Sequence, residues 1–157
     1  MNTKTDMLHS YSHPRAALTV DCVVFATTAA PRVLLIQRDR APFEGRWALP
    51  GGFVDQGEGL SHAARRELAE ETGLLLDEVH QVGAFGELRR DPRGPTVSIA
   101  FYGVLEGELA TPRAADDARA AAWFPLDELP PLAFDHAEIL RRAQRRYRDD
   151  RRTPCAH

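Results

Sequence analysis

Apolar residues along the chain follow two spacings, one typical of strands and one of helices. Runs that are rich in β-branched residues, or that alternate between apolar and polar positions, predict strands over 17–25, 32–37, 79–88, 96–106 and 120–124. Start and stop residues predict a helix over 60–72, and apolar positions at helical spacing predict a second over 134–148, with a helical turn over 125–129. Strands before, between and after the helices indicate a mixed α/β single domain.

Turn-forming and capping residues set the expected boundaries. Ser61 is expected to cap the start of the first helix, and Gly73 to end it. Prolines and glycines crowd the loop before that helix, over 42–59. We predict a domain over 16–148, preceded by a polar N-terminal arm over 1–15 and followed by a loose C-terminal tail over 149–157.

Composition narrows the range of partners. The chain has 157 residues, 43% of them hydrophobic, and a formal net charge of −3. A charge of this sign gives no general attraction to nucleic acid or to anionic lipid, and the arginines of the last helix are interpreted as a solvated face. The apolar stretch over 16–30 is broken by Asp21 and is too short to cross a membrane. Cys22 and Cys155 form no disulfide framework, so we expect a cytoplasmic protein.

Three glutamates of the first predicted helix point to a metal site. At about 100° per residue, Glu67, Glu70 and Glu71 fall on one helical face. Carboxylates held this close repel each other, and a bound divalent cation would remove the repulsion. Hard oxygen ligands favour Mg²⁺, with Mn²⁺ as an alternative, over zinc. An ordinary solvated helix is the competing interpretation.

The surrounding residues resemble a known family. From Gly52 to Leu74 the chain reads Gly, five residues, Glu, seven residues, Arg-Glu-Leu, one residue, Glu-Glu, one residue, Gly-Leu. This matches every defined position of the Nudix box. Segments outside the box resemble the ADP-ribose pyrophosphatase-like subgroup: residues 11–25, 41–50, 91–94, 123–125 and 132–136.

The resemblance implies a fold, a metal site and a reaction. The fold would be the Nudix fold, an α/β/α sandwich with a mixed β-sheet. The metal ligands would be Glu67, Glu70 and Glu71 with the backbone carbonyl of Gly51, while Arg66 orients the glutamates. Glu67, Glu70 and Arg66 would be the catalytic residues, and the reaction would be attack by water on a phosphorus atom of a diphosphate bridge. Glu58 would support the loop or a further metal.

One position departs from the family pattern. Many relatives carry a glutamate shortly before the Trp-Phe-Pro segment, where this chain has Ala120. The general base is therefore left among Glu67, Glu70 and Asp117, and a solvated loop is the competing interpretation for Asp116 and Asp117.

Substrate contacts are expected from the loops. The resemblance implies that Arg38 binds phosphate, and the glycine loop places Gly52 beside metal or phosphate. Arg93 lies on a loop that could approach the substrate, and Phe134 could stack on adenine, although solvated arginines and core aromatics are common alternatives. His136 lies near the start of the last helix. We interpret it as a structural residue, with a substrate contact as the alternative.

Three functions are consistent with these residues. The first is hydrolysis of ADP-ribose to AMP and ribose 5-phosphate, in a protein that resembles known dimers. The second is pyrophosphohydrolysis of nucleoside triphosphates of the nucleotide-sanitising type. The third is an ADP-ribose sensor without catalysis, which we do not expect because the box is intact and little chain follows Trp123.

Overall fold

The structure, a computed structural model, describes residues 11–115 and 118–152. Its strands are β1 (Ala17–Ala26), β2 (Arg32–Arg38), β3 (Trp47–Ala48), β4 (Gly51–Phe53), β5 (His80–Phe85), β6 (Thr96–Leu105) and β7 (Ala118–Pro125). Its helices are α1 (Leu60–Thr72) and α2 (His136–Arg152). None of the helices in the described part of the chain has the length and apolar character needed to cross a membrane.

The strands form one mixed sheet with the order β3-β2-β1-β6-β5. β1 runs parallel to β6 and antiparallel to β2, and β4 and β7 pair with β1 and β2 respectively. The β1–β4 register places Asp21 opposite Gly51 and Val20 opposite Gly52. The glycine-rich loop is therefore held along the central strand.

Alternate residues of the central strands point to opposite faces of the sheet, and each face is covered by one helix. On one face Val23 and Phe25 pack with Ile139 of α2. On the other face Cys22 and Val24 pack with Leu68 of α1. The predicted α/β/α sandwich with a mixed sheet is confirmed.

Most predicted elements appear close to their expected bounds, and the bounds of α1 are those predicted. The predicted cap at Ser61 is wrong, because Gly59 is the N-cap and no side chain caps the helix. Gly73 ends α1 in the left-handed conformation, at φ 71°, as predicted. Residues 125–129 form a hydrogen-bonded turn from Pro125 to Glu128 and not a helix.

The last helix starts later and ends later than expected. It runs through residues 149–152, which were predicted as part of a loose tail. Asp150 explains the extension, because it bonds Arg146 one turn earlier at 2.9 Å and accepts a bond from the Tyr102 hydroxyl at 2.6 Å. The remainder of that tail, 153–157, and most of the N-terminal arm lie outside the described residues.

Candidate active site

A cavity of about 440 Å³ opens where β1, β4, α1 and the loops before β6 and α2 meet. This volume suits a small-molecule ligand. Most of the residues predicted to bind metal or substrate line it: Arg38, Gly51, Gly52, Glu67, Glu71, Arg93 and Phe134. The fold thus brings together residues that lie as far apart in the sequence as β2 and the start of α2.

The two glycines of β4 allow the helix glutamates to approach the sheet. A Cβ added to Gly51 would lie 2.2 Å from the carbonyl oxygen of Val20 on the neighbouring strand. A Cβ added to Gly52 would lie 2.5 Å from both Cδ and Oε1 of Glu67. Both distances are far below van der Waals contact, so any side chain here would displace the strand or the carboxylate.

Glu71 is a buried acid at the inner end of this cavity. Its side chain accepts a hydrogen bond from the backbone N–H of Gly51 at 2.9 Å, and the residue is only 8% exposed. Burial raises the pKa of Glu71 to about 8, and the nearby carboxylates of Glu67 and Asp21 add to the increase. The positive charge of Arg38 and the hydrogen bond from Gly51 oppose the increase without outweighing it.

Arg66, which is not among the lining residues, binds three glutamates. Its guanidinium donates to both oxygens of Glu58 at 2.7 and 2.9 Å, to Glu67 at 2.9 Å and to Glu70 at 3.1 Å. It also donates to the carbonyl oxygen of Phe53 at 3.0 Å. The hydrogen bond from Arg66 holds the pKa of Glu58 down at about 2. This network fixes the rotamer of Glu67 and ties α1 to the loop that precedes it.

The three box glutamates have different surroundings. Glu67 and Glu71 line the cavity, whereas Glu70 lies outside the lining with its side chain 48% exposed. Partial burial raises the pKa of Glu67 despite its bond to Arg66. Within the described ranges, no group of three or more His, Cys, Asp or Glu side chains converges in a metal-binding arrangement.

The predicted substrate residues form the rim of the cavity. The guanidinium carbon of Arg38 lies 4.9 Å from the ring centroid of Phe134, and that of Arg93 lies 5.8 Å from the same centroid. Arg93 also lies 5.4 Å from the ring of Phe53 and is held by Asp91 at 2.7 Å. Phe134 has φ 49°, a conformation that is uncommon for a bulky residue. Two cations and two aromatic rings therefore face one opening.

The lining residues that were not assigned to the site from the sequence include Asp21, Arg90, Asp91 and His136. Only Asp21 could have been recognised from the sequence, because a carboxylate in an otherwise apolar strand needs a hydrogen-bond or charge partner. His136 is buried, in keeping with a structural role, and it also lines the cavity. The other two lie on a loop whose path the sequence pattern does not predict.

The position that departs from the family pattern lies in β7. Ala120 pairs with Gln37 of β2 in the sheet. Asp116 and Asp117, the acids considered as replacements for the missing glutamate, lie outside the described residues.

Comparison with known proteins shows the family of this chain. The NUDIX domain model matches residues 15–143. The chain is 44% identical over 132 residues to an ADP-ribose pyrophosphatase of Methanocaldococcus jannaschii, covering 83% of this chain and 73% of that protein. It is 35% identical over 136 residues to the ADPR responsive transcriptional repressor NtrR of Acinetobacter baylyi, covering 83% of this chain and 54% of the repressor.

Solved structures give the same result at the level of the fold. The Nudix domain of Shewanella oneidensis NrtR, in complex with ADP ribose, superposes with a TM-score of 0.80 at 33% identity. The match covers 86% of this chain and 90% of that one. With its intact box, its sandwich architecture and a domain match over most of its length, the chain belongs to the Nudix family.

Proposed function

We propose that the protein hydrolyses the diphosphate bridge of ADP-ribose, giving AMP and ribose 5-phosphate. The observation that carries the proposal is the cavity itself, which combines buried acids, two arginines and two aromatic rings on one opening. The similarity to a pyrophosphatase named for this substrate, and to a Nudix domain solved with ADP ribose, supports the choice among diphosphate compounds.

A divalent cation fits the donor set. Glu67, Glu71 and the Gly51 carbonyl offer only oxygen ligands, which suit Mg²⁺ or Mn²⁺. Burial and neighbouring carboxylates raise the pKa of Glu71, and a cation would offset both effects. Because Gly52 has no side chain, the Glu67 carboxylate can lie against the strand. Glu70 would join from the outer side of the helix. Bound there, the cation would neutralise the bridging phosphate oxygens and stabilise the charge that builds on them.

The protein's own residues bind and orient the substrate. Arg38 and Arg93 hold phosphate oxygens, since a guanidinium pairs with two oxygens at once. Phe134, and Phe53 at the opposite edge, supply aromatic faces for adenine. Arg66 keeps Glu67 in one rotamer. Water attacks a phosphorus atom, the P–O bond of the bridge breaks, and Glu67 takes the proton at Oε2, because Oε1 is bonded to Arg66.

The test is a hydrolysis assay with ADP-ribose, other nucleoside diphosphate compounds and nucleoside triphosphates, each with Mg²⁺, Mn²⁺ or chelator. We expect turnover of ADP-ribose that requires a divalent cation. Glu67→Gln should lower kcat/KM by at least about 10²-fold, as expected for removal of a catalytic charge. The matched control is Glu78→Gln, a change at an exposed glutamate outside the cavity.

Other outcomes of that assay would select another function. Preferential turnover of nucleoside triphosphates would favour a sanitising hydrolase. Binding of ADP-ribose without turnover would favour a sensor, a function supported by the similarity to the ADP-ribose responsive repressor. A cytoplasmic location, a homodimeric state and the absence of nucleic-acid binding stay predictions.

A further inference from the structure

A cluster of polar side chains centred on β1 includes three residues that line the cavity: Asp21, Arg90 and His136. Asp21 of β1 is its centre and is 6% exposed. It accepts a hydrogen bond from the Ser98 hydroxyl of β6, and its other oxygen lies 3.3 Å from Nε2 of His136. Arg90 approaches it to 3.9 Å and forms a two-bond ion pair with Asp135. The cluster joins the central sheet to the start of α2.

The hydrogen bonds define the form of the His136 ring. The backbone N–H of Leu49 donates to Nδ1 of His136 at 3.0 Å, so Nδ1 carries no proton. Burial lowers the pKa of His136, which keeps the ring neutral. The single ring proton is therefore on Nε2, facing Asp21. The Asp21 carboxylate and the Leu49 N–H, one at each ring nitrogen, together fix the ring orientation.

The ring in turn fixes the backbone that leads to the active site. Leu49 precedes Pro50, which has no N–H to donate, and Pro50 precedes Gly51. Three hydrogen bonds hold this short segment: Leu49 N–H donates to His136, the Pro50 carbonyl accepts from Cys22 N–H at 2.8 Å, and Gly51 N–H donates to Glu71 at 2.9 Å. A shift at Leu49 would therefore move the donor of Glu71.

We propose that His136 is a positioning residue whose Nδ1 holds the 49–51 backbone through Leu49 and so places Gly51 and Glu71 for the divalent cation. This proposal rests on the proposed function, since it concerns the same acids. His136 acts through the Leu49 N–H.

Two substitutions separate the two ends of the ring. His136→Asn leaves a side-chain oxygen near the position of Nδ1, so it keeps the acceptor for Leu49 and loses the contact with Asp21. His136→Gln leaves a donor near the position of Nε2, so it keeps the contact with Asp21 and loses the acceptor for Leu49. Ile139→Val, a loss of one methylene-sized group from the buried face of the same helix, is the control for general loosening.

The measurements are Mn²⁺ affinity by electron paramagnetic resonance without substrate, amide hydrogen exchange at Leu49 and Gly51 in metal-free protein, and kcat and KM. For His136→Gln we expect Mn²⁺ affinity to fall by about 10-fold or more, the usual range for partners that orient metal ligands. Both amides should exchange faster, and kcat should fall more than KM rises. His136→Asn and Ile139→Val should stay near wild type in Mn²⁺ affinity.

The outcomes distinguish this proposal from the proposed function. Wild-type Mn²⁺ affinity and amide exchange in His136→Gln, or an equal loss in His136→Asn, would overturn the positioning role and leave the hydrolase proposal standing. Failure of the wild-type protein to bind Mn²⁺ would overturn the metal site itself. If His136→Gln does not fold, His136→Asn still decides, because the proposal requires it to bind Mn²⁺ as the wild type does.

Discussion

Gly52→Ala is the substitution for which the structure gives the most direct magnitude. The added Cβ would lie 2.5 Å from Cδ of Glu67, whereas ordinary contacts begin at 3.4 Å, so the carboxylate must move by about 1 Å. The obstacle is the end of a flexible side chain, so the fold can accommodate the methyl group. A misplacement of about 1 Å at a reacting centre can lower the rate about 10²-fold. That factor corresponds to about 2.7 kcal/mol of transition-state stabilisation.

The assay compares kcat/KM for ADP-ribose with thermal unfolding of the same preparations. We expect kcat/KM to fall about 10²-fold while Tm stays within about 4 °C of wild type, the shift that about 1 kcal/mol produces in a domain of this size. Gly59→Ala is the matched control, because a Cβ there meets nothing within 4 Å. Wild-type activity in Gly52→Ala would refute the argument that the Gly52–Glu67 contact places the carboxylate. A large loss of Tm would instead show that the strand, and not the side chain, had to yield.

Three further predictions concern charge and burial. Glu71→Gln should lower kcat/KM by at least about 10²-fold, whereas Glu70→Gln should lower it less because Glu70 lies outside the cavity lining; equal losses would contradict this order. Glu58 has a folded pKa of about 2 against an ordinary 4.5, so its carboxylate stabilises the fold above about pH 4.5 and loses that contribution as the pH falls toward 2. Chemical denaturation should therefore show Glu58→Gln as less stable than wild type at pH 7, with the difference shrinking between pH 4.5 and 2; a constant difference would argue against the ion pair with Arg66. Burial raises the pKa of Cys22 to about 12, so a Cys155→Ser protein should react with a thiol reagent at pH 8 only after unfolding, and rapid labelling of the native protein would contradict the packing of β1.

The elements of this fold were predictable where one local pattern decides the structure. α1 has the predicted bounds because its small buried residues Ala63 and Ala64, its anchor Leu68 and its terminal Gly73 all act within a few turns. β3 and β4 were missed, because strands of two and three residues inside a glycine-rich loop carry no periodicity of their own. They form because the backbone over 47–53 pairs with β1 and β2, which is a long-range effect.

The candidate site shows the same division. The convergence of Glu67 and Glu71 with Gly51 and Gly52 followed from helix geometry and from the box. The position of Glu70 outside the cavity could not be predicted from the sequence. The three glutamates span a helical arc of about 100°, and helix geometry does not show which end of that arc faces the sheet. The contact between Asp21 and His136 joins β1 to α2, and no spacing in a single sequence encodes such a pair.

The charges around α1 indicate where a cation would bind. Arg66 contacts Glu58, Glu67 and Glu70 at once, so a single positive charge is shared among three carboxylates. Glu71 receives a hydrogen bond from a neutral backbone donor, and the carboxylates of Glu67 and Asp21 raise its pKa more than Arg38 lowers it. The uncompensated charge is therefore greatest on the cavity side of the helix, between Glu67 and Glu71, where the glycines of β4 leave room. A divalent cation at that position would relieve the repulsion between the carboxylates most. The two rim arginines, Arg38 and Arg93, line the same cavity and would hold the same phosphate groups.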